Sequence, residues 1–79
     1  MITKGSYLSL KRYLKTLCKD TIIDICTNTG LTDYETKLIL ELNQDNTRIG
    51  MSFKFGVSES KIRVDMRRTL NKIDDYLKR

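Results

Sequence analysis

The sequence contains no histidine, no proline and no tryptophan, and it has only two cysteines. Two thiols without a histidine are too few for a structural zinc site, which takes four cysteine or histidine ligands. There is also no Gly-rich phosphate loop and no nucleophile–base spacing, so we expect neither an enzyme nor a bound cofactor. No apolar run approaches the ~20 residues of a membrane span, and the first residues lack the apolar core of a signal peptide. The sequence therefore predicts a cytoplasmic protein that makes no use of a membrane.

Cys18 and Cys26 are interpreted as two small buried side chains in a reducing compartment. Both fall within one predicted helix, which would hold them about 12 Å apart. That separation exceeds the limit of roughly 7 Å between the Cα atoms of a disulfide. We therefore expect two free thiols.

The positive charge of the chain is concentrated at its two ends. With 79 residues the chain forms one domain at most, and its net charge is +5. Residues 1–30 carry a net +3, residues 31–46 a net −3 and residues 47–79 a net +5. A basic excess on both sides of an acidic segment suggests a polyanionic partner.

The spacing of the apolar residues predicts a single all-α domain of four helices. The helices are expected at about residues 6–28, 33–43, 47–55 and 59–78. Gly30 ends the first helix, and Thr32 and Glu35 form a capping box at the start of the second. The helix at 6–28, which makes up most of residues 1–30, is expected either to complete the core or to mediate a homodimer.

Residues 49–57 fit two patterns. The run Ile-Gly-Met-Ser-Phe-Lys-Phe-Gly-Val alternates apolar with small or polar residues, which is typical of a half-buried strand. A helix that starts at Thr47 is the alternative, and it places Met51, Ser52 and Phe55 on one face. We favour the helix because no other segment offers a partner strand, so a strand here would have to pair with a second copy of the chain.

The stretch FGVSESKIR, at residues 55–63, predicts a helix-turn-helix. A first helix would end at Phe55, and Ser58 is a good N-cap for a second helix. Gly56 suits the turn between them, because glycine adopts a positive φ without steric penalty. Ser52 is small, as expected where two helices approach closely.

The segment LTDYETKLILELNQDNTRIGMSFKFGVSESKIRVDMRRTLNKIDDYL, at residues 31–77, resembles region 4 of bacterial sigma factors and the related LuxR-type domains. The shared pattern comprises the opening Leu31-Thr32-Asp33-Tyr34-Glu35, the motif positions Thr47, Met51, Ser52, Phe55, Gly56, Val57 and Ser58, and the later positions Ile62, Arg63, Leu70 and Ile73. The resemblance implies that residues 31–79 bind DNA sequence-specifically, as in a small transcriptional regulator of a bacterium, phage or mobile element.

The helix that begins at Ser58 is expected to enter the major groove of double-stranded DNA. The residues placed to reach base edges are Glu59, Ser60, Lys61, Arg63 and Val64. The residues placed to contact phosphates are Thr47, Arg48, Lys54, Arg67 and Arg68.

Three alternatives stay open. Lys61 and Arg68 lie close to Asp65 along the helix, so they are also interpretable as surface ion pairs. Phe53 departs from the family pattern, and its ring is either core filler or a protein contact. The basic helix as a whole is also suited to docking on an acidic surface of RNA polymerase or of another regulator.

Overall fold

The computed structural model describes the backbone of residues 4–78 and the side chains of residues 7–78. This part of the chain forms five helices: α1 (Lys4–Thr16), α2 (Lys19–Thr29), α3 (Asp33–Asn43), α4 (Arg48–Phe55) and α5 (Glu59–Leu77). It contains no strand, so the all-α prediction is confirmed and the strand alternative for residues 49–57 is wrong. The prediction of four helices is also wrong, because the helix expected at 6–28 is two helices.

The chain leaves the helical conformation at Leu17 and Cys18. Cys18 has φ −75° and ψ 161°, an extended conformation from which α2 begins. The side-chain amide of Asn43 in α3 donates to the carbonyl oxygens of Leu14 (2.9 Å) and Leu17 (2.8 Å). The Leu14 carbonyl also accepts from the Leu17 amide (3.3 Å), where the α-helical pattern of α1 ends. The continuous helix at residues 6–28 that was expected to complete the core or to mediate a homodimer is therefore absent from the described residues.

Replacing Asn43 by alanine should lower the free energy of unfolding by about 1–3 kcal/mol, because the Leu17 carbonyl loses a hydrogen-bond donor and the Leu14 carbonyl keeps only the Leu17 amide at 3.3 Å. Urea unfolding followed by circular dichroism measures this change. The matched control is Asn28→Ala at an exposed position of α2, which should alter stability by less than about 0.5 kcal/mol. Equal losses in the two variants would show that the Asn43 side chain does not stabilise the interruption.

The core contains side chains from all five helices. It comprises Leu10 and Leu14 of α1, Ile22 and Cys26 of α2, Leu38, Ile39 and Leu42 of α3, Met51 of α4, and Ile62, Met66, Leu70 and Ile73 of α5. α5 supplies more of them than any other helix. Cys18 corrects the sequence interpretation, because it is exposed while Cys26 is buried. Both thiols are free, as expected.

A polar contact between the buried Glu35 and the exposed Lys72 joins α3 to α5. The predicted capping box is present: the Glu35 amide donates to the Thr32 hydroxyl (3.2 Å), and the Thr32 amide donates to the Glu35 carboxylate (3.1 Å). The same carboxylate accepts from Lys72 Nζ at 2.9 and 3.0 Å. Burial alone would raise the pKa of Glu35, but the hydrogen bonds from Lys72 and Thr32 outweigh it, so the pKa is lowered. One carboxylate therefore starts α3 and also holds α5 against it.

Candidate nucleic-acid interface

α4 and α5 are joined by a three-residue turn, residues 56–58. Gly56 has φ +66° and ψ 34°, and a Cβ built there would meet no other atom within 4 Å, so the need for glycine is conformational. The amide of Val57 donates to the carbonyl of Ser52 (3.1 Å), which closes the end of α4. The Ser58 hydroxyl accepts from the Lys61 amide (3.1 Å) and caps α5. The turn chemistry expected of Gly56 and Ser58 is confirmed.

The start of α4 is capped in the same way as that of α5. The Thr47 hydroxyl accepts from the Gly50 amide at 3.0 Å. Arg48 follows in the first turn, and its side chain is exposed. A cation at a helix N-terminus is disfavoured by the helix dipole, so the positive charge of Arg48 does not stabilise α4.

All five side chains predicted to reach bases lie at the surface. These are Glu59, Ser60, Lys61, Arg63 and Val64. Val64, 50% exposed, projects from the face of α5 opposite the buried Ile62. Arg67 and Arg68, one turn further on, are exposed as well. The N-terminal half of α5 is therefore an open surface with three arginines on it.

Lys61 differs from its neighbours because it faces α3. Its Nζ lies 2.8 Å from Asp65 Oδ2 and 5.6 Å from the ring centroid of Tyr34. Tyr34 donates its hydroxyl proton to the same carboxylate oxygen (2.8 Å). The hydrogen bond from Lys61 lowers the pKa of Asp65, whereas burial and the Asp65 charge raise the pKa of Tyr34 to about 12. The ion-pair alternative thus holds for Lys61. Arg68 forms no ion pair within 4 Å among the described residues, although its positive charge also lowers the pKa of Asp65.

Lys54 is also engaged within the protein. Its Nζ pairs with the carboxylate of Glu41 in α3, which also accepts from the side-chain amide of Asn46. The hydrogen bond from Lys54 is the main reason that the pKa of Glu41 is lowered. Lys54 is thus the one predicted phosphate-binding cation in the described part of the chain that already has a carboxylate partner.

A groove between α1, α4 and α5 brings five cations together. They are Lys11 and Lys15 of α1, Arg48 of α4, and Arg63 and Arg67 of α5. Burial lowers the pKa of Lys11, and the nearby positive charges of Arg48, Lys15 and Arg67 lower it further. The sequence indicated that both ends of the chain are basic, but it gave no sign that the lysines of α1 would lie beside the arginines of α5. We call this the α1–α4–α5 groove.

Tyr7 positions Arg67 at the edge of that groove. Its hydroxyl donates to the backbone carbonyl of Arg67 (2.7 Å), and its ring centroid lies 5.3 Å from the guanidinium carbon. Burial raises the pKa of Tyr7, and the Arg67 charge partly opposes this rise. Tyr7 carries no signal of this role in the sequence, because its partner is 60 residues away.

The outer face of α4 carries an exposed apolar pair. The Phe53 side chain is 83% exposed and Ile49, one turn earlier, is 55% exposed. The interpretation of Phe53 as core filler is therefore wrong. Two apolar side chains in contact with water on one helix face indicate a surface suited to another molecule.

The described residues hold no group of three cysteine or acidic side chains arranged to bind a metal ion. None of the helices within residues 4–78 is long and apolar enough to cross a membrane. Comparison of the chain with family models, with the sequences of curated proteins and with solved structures gives no match.

Proposed function

We propose that this protein binds double-stranded DNA and that α4, the turn at Gly56 and α5 act as a helix-turn-helix. The proposal is supported by two helices, a three-residue turn with a left-handed glycine, and the N-cap at Ser58. In such a motif the second helix lies in the major groove while the first crosses the backbone. α5 is then the recognition helix.

The observation that carries the proposal is the unbalanced positive charge of this surface. Arg48, Arg63, Arg67 and Arg68 are exposed, and none of them forms an ion pair with a carboxylate of the described residues. Guanidinium groups without an internal partner are free to form bidentate hydrogen bonds to phosphates or to guanine. A polyanion that fits against a helix satisfies both the charge and the shape of the site.

The side chains assigned to base edges are those near the start of α5. Arg63 can donate to the two acceptors of a guanine, and Val64 can contact a thymine methyl group. Ser60 and Glu59 offer a hydroxyl and a carboxylate at the same end. Lys61 contributes less, because it would first have to leave Asp65.

The side chains assigned to phosphates flank this group. Arg67 and Arg68 lie one turn further along α5, and Arg48 lies at the start of α4 beside Thr47. Contacts of this kind fix the register of the protein on DNA without reading sequence. Lys54 contributes little to this set while it remains paired with Glu41.

Fluorescence anisotropy of a labelled random-sequence duplex, titrated at several salt concentrations, tests the proposal. Three or four phosphate contacts should give a plot of log K against log salt with a slope of about −3 to −4, since each contact releases condensed counterions. Binding that is absent at low salt, or that does not change with salt, would refute the DNA-binding function.

A protein-docking function is the second candidate, and the exposed Phe53 and Ile49 favour it. An apolar pair beside a basic helix suits a partner such as RNA polymerase, which could bury the pair while its acidic groups meet the arginines. Affinity for purified RNA polymerase without affinity for duplex DNA would favour this function over the first.

A further inference from the structure

The α1–α4–α5 groove has two different linings. Its volume is about 400 Å³, within the ~300–1,000 Å³ of typical small-molecule sites. Met51, Ile62 and Met66 line its base, and the five cations named above line its rim. A cavity of this size suits one small molecule better than a folded partner.

The base of the groove is apolar. Leu8, at its lip, is 52% exposed, although Met51, Ile62 and Met66 beneath are buried by the surrounding helices. Methionine side chains are flexible and polarisable, so they adapt to ligands of varied shape. The exposed apolar surface of the groove belongs to Leu8, and it favours a ligand with an apolar body, because that body leaves water when it binds.

The rim carries positive charge that the described residues do not balance. Lys15 pairs with Asp45 at 2.9 Å, but Lys11, Arg48, Arg63 and Arg67 have no carboxylate partner within residues 7–78. Burial lowers the pKa of Lys11, and the positive charges of Arg48, Lys15 and Arg67 lower it further. An anionic group at the rim would relieve the repulsion between these charges and accept charge-assisted hydrogen bonds.

We propose that the α1–α4–α5 groove binds a small amphipathic anion, with its acidic group at the rim cations and its apolar body against Leu8, above Met51 and Met66. Because Arg63 and Arg67 belong to both the groove and the α5 surface, the ligand competes with DNA for them. The competition rests on the proposed DNA-binding function, whereas the ligand site itself rests on the groove alone.

Titration calorimetry with decanoate, below its micelle-forming concentration, tests the site. Decanoate should bind saturably, and Lys11→Gln should weaken the binding at least about fivefold, since one charge-assisted contact is lost. Lys19→Gln is the matched control, because Lys19 is an exposed lysine of α2, a helix that contributes no residue to the groove. It should leave the affinity unchanged.

Two simpler probes test the contributions of the acidic group and of the apolar body separately. Decanol lacks the anionic group and acetate lacks the apolar body, so each should bind at least about tenfold more weakly than decanoate. Failure of decanoate to bind saturably would overturn the site. Equal weakening in Lys11→Gln and Lys19→Gln would overturn it as well, because binding would then be non-specific attraction to a cationic protein.

Competition is tested by repeating the duplex titration with saturating decanoate. The affinity for DNA should fall roughly 100-fold, as expected when Arg63 and Arg67 are both withdrawn from the interface, while decanol should have no effect. If decanoate binds but the DNA affinity is unchanged, the competition is wrong and the ligand site stands. If the duplex does not bind under any condition, the DNA function and the competition both fail, and calorimetry alone decides the site.

Discussion

Replacing Arg63 and Arg67 together by alanine should weaken binding to a duplex roughly 100-fold at ~0.1 M salt, because each guanidinium supplies a charge-assisted contact to base or phosphate. Both side chains are exposed and neither has a carboxylate partner among the described residues. Their removal therefore leaves no buried charge behind. Anisotropy titrations of the single and double variants measure the effect.

The salt dependence of DNA binding by the single variants distinguishes a contact to a phosphate from a contact to a base. If Arg67 contacts a phosphate and Arg63 a base, Arg67→Ala should reduce the steepness of the salt plot by about one unit, and Arg63→Ala should change it less. Lys37→Ala, at an exposed position of α3 outside this surface, is the control and should bind as the wild type does. A double variant that retains wild-type affinity would exclude α5 as the recognition helix.

Ile62→Ala should lower the free energy of unfolding by about 2–4 kcal/mol, because it removes buried methyl groups and leaves a cavity. Ile62 is 1% exposed and lies in the core next to the turn. A domain of this size is stabilised by only about 4–12 kcal/mol in total, so the loss is a large fraction. The midpoint of thermal unfolding of the Ile62→Ala variant should therefore lie below that of the wild type.

Val64→Ala is the matched control, since Val64 is a branched aliphatic residue two positions later on the opposite face of α5. Its half-exposed side chain leaves no cavity when shortened, and the expected change in stability is within about 0.5 kcal/mol. Calorimetry or circular dichroism measures both variants. A destabilised Val64→Ala variant, or an Ile62→Ala variant as stable as wild type, would show that the two faces of α5 are assigned the wrong way round.

The local features of the fold could be predicted because their causes lie within a few residues of each other. The capping box of Thr32 and Glu35 spans one helical turn, and the left-handed Gly56 and the N-cap Ser58 are adjacent in sequence. Hydrogen bonds of this kind do not depend on the rest of the molecule.

The interruption after α1 could not be predicted, because its partner is distant in sequence. The residues around Leu17 and Cys18 include neither glycine nor proline, and the apolar pattern continues through them. The Asn43 amide that stabilises the interruption comes from α3 and lies 26 residues beyond Leu17. Tertiary contacts of this kind commonly override local helix propensity.

The candidate site was only partly predictable for the same reason. Exposure of Arg63, Val64 and Arg67 follows from helical periodicity within α5. The ion pair between Lys54 and Glu41 and the placement of Lys11 beside Arg67 require the helices to be packed first. Sequence periodicity therefore indicates which side chains reach the surface, but not which of the cations already form an ion pair with a carboxylate of the same chain.

The large share of the core that belongs to α5 has a consequence for synthesis of the chain. α1 to α4 leave the ribosome first, with Ile22, Leu38 and Ile39 still lacking the side chains of α5 that bury them in the finished domain. Apolar surface in this state is prone to aggregation. The core therefore cannot be complete until Ile73 has emerged.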